Sequence, residues 1–132
     1  MNNNITPLDK IQDEVNIIQD FLEITPSEEI TEIEDRGNQL IVYLARTSKL
    51  LADAKYHKDE KLNNAFVKEI ENINLFKSAL VTKSYIDSLC KDENYLINHL
   101  ERLNRTVTHA WEWSRSMLSK ATQEYKYNHF NR

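Results

Sequence analysis

Residues 95–125 read YLINHLERLNRTVTHAWEWSRSMLSKATQEY, and this stretch decides the fold class. On a wheel of about 100° per residue, Leu96, Leu100, Leu103, Val107, Ala110, Ser114, Met117 and Ala121 fall in one narrow sector. Alternating steps of four and three mark a buried helix face, because strand side chains would repeat every second residue. Trp111 and Trp113 fall on the two shoulders of this seam, about 80° to either side. The buried face is therefore wider than one partner helix can cover. Ala110, Ser114 and Ala121 are small and let a neighbour approach closely. The stretch is expected to be the packing axis of a helical bundle, with Trp111 and Trp113 as packing anchors. A tryptophan left uncovered there would anchor a subunit or partner contact.

Outward from this seam the chain divides into four expected helices. Asp92 can cap the last of them, expected over residues 92–127, with a frayed polar tail at 128–132. Before the junction at Cys90, a short helix is expected at 78–89, capped by Ser78, with Val81, Tyr85 and Leu89 on its face. A long helix is expected over 26–72. Its seam is Ile30, Ile33, Gly37, Leu40, Leu44, Ser48, Leu51, Leu62, Phe66, Ile73 and Phe76, interrupted by Lys55 and Lys58. Gly37 on that face either permits close approach of a neighbour or allows a bend. The break is expected near residues 72–77, and so long a periodic run suggests a coiled-coil-like hairpin.

The first helix is expected over 7–24, with Leu8, Ile11, Val15, Ile18 and Leu22 as its seam, after a frayed start at 1–5. Thr6-Pro7-Leu8-Asp9 and Thr25-Pro26-Ser27-Glu28 look like two copies of one helix start. In each, Thr is the cap, Pro takes the first helical position and an acid sits in the first turn. The connection between the first two helices should then be very short.

Composition points the same way. The 132 residues suit one domain, 1–132, with a real core. The chain has one Gly and two Pro, well under the usual share of about 7% and 5%. A sheet protein needs turn residues at each hairpin, and this chain has none to supply. The expected fold is therefore an all-α, elongated antiparallel bundle with two long helices and two shorter ones. A single cysteine cannot form an internal disulfide and suits a reducing compartment. With no apolar leader and no run of about 18 apolar residues, a soluble, cytoplasmic protein is expected.

The net charge of −4 is unevenly spread. Residues 1–36 carry ten acidic and two basic groups, residues 37–90 eight basic and six acidic, and residues 91–132 seven basic and five acidic. The acidic start is either a solvated hairpin or an arm that docks on a basic partner.

Several chemistries fail on spacing. A di-iron carboxylate bundle needs two Glu-x-x-His pairs, but the residues three before the four histidines are Ala54, Leu96, Thr106 and Lys126. His-Glu-x-x-His is absent, and one Cys cannot supply the usual zinc spacing. A single Gly leaves no phosphate loop or nucleophile elbow. No cofactor, metal or catalytic activity is therefore expected. Asp53 and His57 lie one turn apart, and His99 is the one histidine near the centre of the 95–125 seam. Both read as ordinary structural positions, as does Cys90. Asn98, Arg102, Arg105, His109, Glu112 and Ser116 form a polar stripe nearly opposite that seam. Arg102, Arg105 and His109, with Arg46 from the long second helix, are the candidate contacts to a partner or to nucleic acid. An acidic domain would need several subunits to build a phosphate-binding field.

At Glu101-Arg102-Leu103-Asn104-Arg105-Thr106, Thr108-His109, Arg115 and Ser119-Lys120, the chain resembles small helical proteins encoded by phages and mobile elements of gut bacteria. The similarity covers mainly residues 95–125. It implies no site residues. It does imply a setting in which short helical proteins serve as assembly components, DNA-processing accessories or inhibitors of host proteins. The expected function is a non-catalytic interaction or assembly protein, self-associating as a homo-oligomer or binding a protein partner. The alternative is a DNA-processing accessory that binds nucleic acid through an oligomeric basic surface.

Overall fold

The longest helix owes its length to what its sequence lacks: neither Gly nor Pro occurs from residue 91 to 130, so no residue there removes a backbone donor or favours a turn. The computed structural model describes residues 4–66 and 79–130. Its helices are α1 (Leu8–Leu22), α2 (Ile30–Lys61), α3 (Ala79–Leu89) and α4 (Lys91–Phe130), with a π-helical segment, Leu62–Phe66, extending α2. No strand occurs among the described residues. The fold is an all-α bundle, as expected.

The main interface is between α2 and α4, and its register follows from four pairs. Lys61 Nζ lies 2.7 Å from Glu93 Oε1, Lys55 Nζ 3.9 Å from Glu101 Oε1, and Asn104 Nδ2 2.9 Å from Thr47 Oγ1. At Gly37, an added Cβ would stand 3.6 Å from the Cβ of Ser114. One partner's number falls as the other rises, so the two helices are antiparallel. Gly37 faces Ser114 at a distance that would also admit a methyl.

The α4 seam is buried as its spacing requires. Leu96, Leu100, Leu103, Val107 and Ser114 are buried, Ala110, Met117 and Ala121 are half-buried, and Ile97 joins the core. From α1, Ile11, Val15 and Ile18 complete this cluster, while Leu8 stays 39% exposed. Each fully buried Leu or Ile contributes about 1.5–3 kcal/mol of transfer free energy. On α2 the buried line is Ile33, Gly37, Leu40, Thr47, Leu50, Asp53 and Ala54. It departs from the expected Leu44–Ser48–Leu51 path, since Leu44 and Leu51 are half-buried and Ser48 exposed. The reason is that α2 has two neighbours on different flanks. Leu44, Thr47 and Ser48 meet α4 through Asn104, while Tyr43 and Arg46 meet α1 through Phe21 and Glu14.

The helix starts differ from expectation. Pro7 is extended and precedes α1, whose first bond runs from Ile11 N to Pro7 O at 3.0 Å. The second Thr-Pro pair does not open a helix. Residues 23–29 form the connection, Glu29 is the cap residue, and α2 begins at Ile30. Ser27 Oγ accepts the Glu29 N–H at 3.0 Å, a local turn that competes with helix formation. We call this connection the elbow. Between α3 and α4 the break is the single residue Cys90, whose carbonyl accepts the Asn94 N–H at 2.8 Å. Asp92 therefore sits in the first turn and is not the cap. On α3, Tyr85, Ile86 and Leu89 are half-buried, while Val81 is 51% exposed.

Of the end segments 1–5 and 128–132, residues 4, 5 and 128–130 are described. Helix α4 continues to Phe130, and Lys49 Nζ donates to the Asn4 carbonyl at 2.7 Å. Asn63 and Asn64 fall within the π-helical segment. The expected break at 72–77 and the Ser78 cap lie outside the described residues, as do the second-helix seam positions Ile73 and Phe76. Stepping seven residues along each helix from Gly37 and Ser114 brings Ile30 level with Ala121. Residues 122–130 then project past the first residue of α2, and all of them are exposed. No helix among the described residues is long and apolar enough to cross a membrane.

Candidate interaction surface

The polar residues of the molecule sort into those that tie helices together and those left on the surface. Three of the first kind lie one turn apart on α2. Lys49 Nζ donates to both Asp53 oxygens at 2.6 and 2.7 Å, and the Thr6 N–H donates to Asp53 Oδ2 at 3.0 Å. His57 Nε2 stands 2.7 Å from the Thr6 carbonyl. A carbonyl only accepts, so Nε2 must carry the proton. Together with the Lys49 bond to Asn4, this clasp grips the backbone just before α1. Burial pushes the Asp53 carboxyl up, but the hydrogen bonds from Lys49 and Thr6, with the Lys49 charge, outweigh burial and hold it below the usual carboxylate range. The i, i+4 spacing of Asp53 and His57 is thus structural. What the sequence does not give is their target, which lies 47 to 51 residues away.

His99 is likewise satisfied, with Nε2 3.0 Å from Gln19 Oε1. The Gln19 amide nitrogen donates to Glu23 Oε1 at 3.1 Å, which orients its oxygen toward His99 and places the proton on His99 Nε2. Cys90 is fully buried; burial, then the Glu93 charge, push its thiol up, opposed by Lys61 and Lys58. A high thiol pKa is the reverse of what a nucleophile needs. No group of three His, Cys, Asp or Glu among the described residues is placed to hold a metal ion.

Arg46 belongs with the ties. Its Nε and Nη2 donate to Glu14 Oε1 and Oε2 at 3.2 and 2.7 Å, a bidentate bridge from α2 to α1. That hydrogen bonding raises its pKa. It is therefore directed at α1 and does not join Arg102, Arg105 and His109. Those three do share one face, the exposed outer side of α4. Arg105 and His109 line an open hollow of about 410 Å³ with Leu51, Glu101, Asn104 and Thr108, and His109 Nδ1 lies 3.6 Å from Glu112 Oε2.

The two tryptophans separate. Trp111 packs against the core with the Arg115 guanidinium 5.5 Å from its ring centre, while Trp113 is 39% exposed. Larger apolar exposure lies elsewhere, at Ile17, Ile24, Ile30, Ile41 and Val42 and on the α4 overhang, where Tyr125, Tyr127 and Phe130 are 71%, 70% and 84% exposed. The wheel centred on 95–125 misses the overhang because its exposure arises from the register with α2. No protein-family model, curated protein or solved structure matches the chain.

Proposed function

We propose that this chain is a non-catalytic helical interaction or assembly protein that self-associates through helix faces. The observation that carries this reading is the set of large apolar side chains exposed on α1, α2 and α4, ending in Tyr125, Tyr127 and Phe130 on an overhang whose residues are all exposed. Supporting it, Asp53, His57, Arg46, Lys61 and Glu93 are engaged in holding helices together. The resemblance of residues 95–125 to phage and mobile-element helical proteins supports such a setting, and the lone cysteine is compatible with a cytoplasmic one. Light scattering in the micromolar range is the test: an oligomer is expected, and a strict monomer would remove self-association.

A second reading, a DNA-processing accessory, draws on Arg102 and Arg105, which are exposed and make no ion pair among the described residues. It requires a salt-sensitive shift of duplex DNA that disappears when Arg102→Ala and Arg105→Ala are combined.

A further inference from the structure

We propose that two copies of this chain pair reciprocally at one end, the α4 overhang of each seated in the elbow groove of the other. The proposal rests on the self-association reading and names its surface. The elbow encloses an open groove of about 470 Å³, walled by Phe21, Ile24, Glu32, Asp35 and Arg36 and lined by no α4 residue. Ile24 is 59% exposed there. Arg36 is already committed: its guanidinium carbon stands 4.6 Å from the Phe21 ring centre, and Nη2 donates to the Phe21 carbonyl at 3.4 Å. Arg36 keeps its positive charge, so with Glu32 and Asp35 the groove lining is left with a net charge of −1. Around them, residues 20–35 hold seven acidic groups and no Lys or Arg.

The overhang has the complementary character. On the overhang, Gln123, Lys126, Tyr127 and Phe130 fall within an arc of about 100° that holds its one Lys and leaves its one acid, Glu124, outside. That arc continues the outer stripe of Arg102 and Arg105, on the side of α4 away from Leu103, Val107 and Ser114. The result is an aromatic tip, with Lys126 on its outer face, at the same end of the molecule as an apolar groove that carries Glu32 and Asp35. The overhang cannot enter its own groove without breaking α4, which has no Gly or Pro at which to break. A two-fold axis at this end lets both copies make the same contact, and the assembly closes at two. Nine projecting residues make a helical end of about 14 Å, and isolated helices this short are marginal in water. A partner surface stabilises the tip.

The test is the self-association constant of the full chain, measured by sedimentation equilibrium across the micromolar range. A dimer is expected. Combining Lys126→Glu with Phe130→Ala should weaken it about tenfold or more, with the α1, α2 and α4 core still folded because both positions are exposed and outside it. Glu32→Lys with Asp35→Lys should weaken it similarly, and placing those two changes in one chain with Lys126→Glu should restore part of the loss. A wild-type dimer indifferent to both sets of changes overturns this surface and leaves self-association standing. Head-to-tail growth beyond two overturns the reciprocal pairing. A monomeric wild type overturns the pairing and the self-association reading together.

Discussion

Asp53 is 4% exposed and receives hydrogen bonds from Lys49 on its own helix and from the Thr6 backbone. Removing its carboxylate strands the part-buried Thr6 N–H and leaves the Lys49 ammonium without this counter-charge. Asp53→Ala should cost about 1–3 kcal/mol, read as a lower urea midpoint. The same carboxyl makes stability pH-dependent. Its folded pKa is depressed, so its contribution is complete above the unfolded value of about 3.9 and is lost as pH falls through the folded value. The wild type should therefore lose more stability between neutral pH and pH 3 than Asp53→Asn, measured by urea titration at each pH. Gly37 and Ser114 give the opposite sign. A methyl at Gly37 meets Ser114 Cβ at ordinary van der Waals distance, so Gly37→Ala should raise stability by about 0.5–1 kcal/mol through helix propensity. Ser114 Oγ is buried with no hydrogen-bond partner among the described residues, and Ser114→Ala should raise the thermal midpoint by relieving it.

Among the elements, α4 supplies more of the buried apolar core than any other. Leu100→Ala, at 0% exposure, should cost about 2–5 kcal/mol, against less than about 0.5 kcal/mol for Arg102→Ala on the outer face. The two helices show why one was legible in sequence and the other only partly so. The α4 seam is apolar or small at every position, and a wheel finds it. On α2, Thr47 and Asp53 are buried because Asn104 and Thr6 reach them across 57 and 47 residues. No local period carries that information. The elbow departs from its local pattern for a related reason: Thr25-Pro26 has the residues of a helix start, but the Ser27 hydroxyl takes the Glu29 N–H and the helix begins at Ile30. Of the candidate surface, the exposure of Arg102, Arg105 and His109 follows from their angle to the seam. The engagement of Arg46 depends on where α1 packs, and the overhang depends on the register between α2 and α4.

At the scale of the molecule, charge and apolar exposure meet at one end. The acidic start lies on α1, the elbow and the beginning of α2, and the cationic residues run along the outer side of α4. Attraction between such exposed charges is screened within about 10 Å at 0.1 M salt, so added salt should weaken the paired state while the Phe130 contact remains. The unbroken course of α4 carries a further consequence. The direction in which Phe130 points is fixed by the phase of the same helix at Ser114, sixteen residues earlier. One residue inserted after Thr122 would turn the tip by about 100° and advance it by about 1.5 Å. Seven would bring it back to within about 20°. Sedimentation should then show pairing lost with the single insertion and retained with the seven-residue one. The tip of this protein can change in length only in steps that preserve its phase.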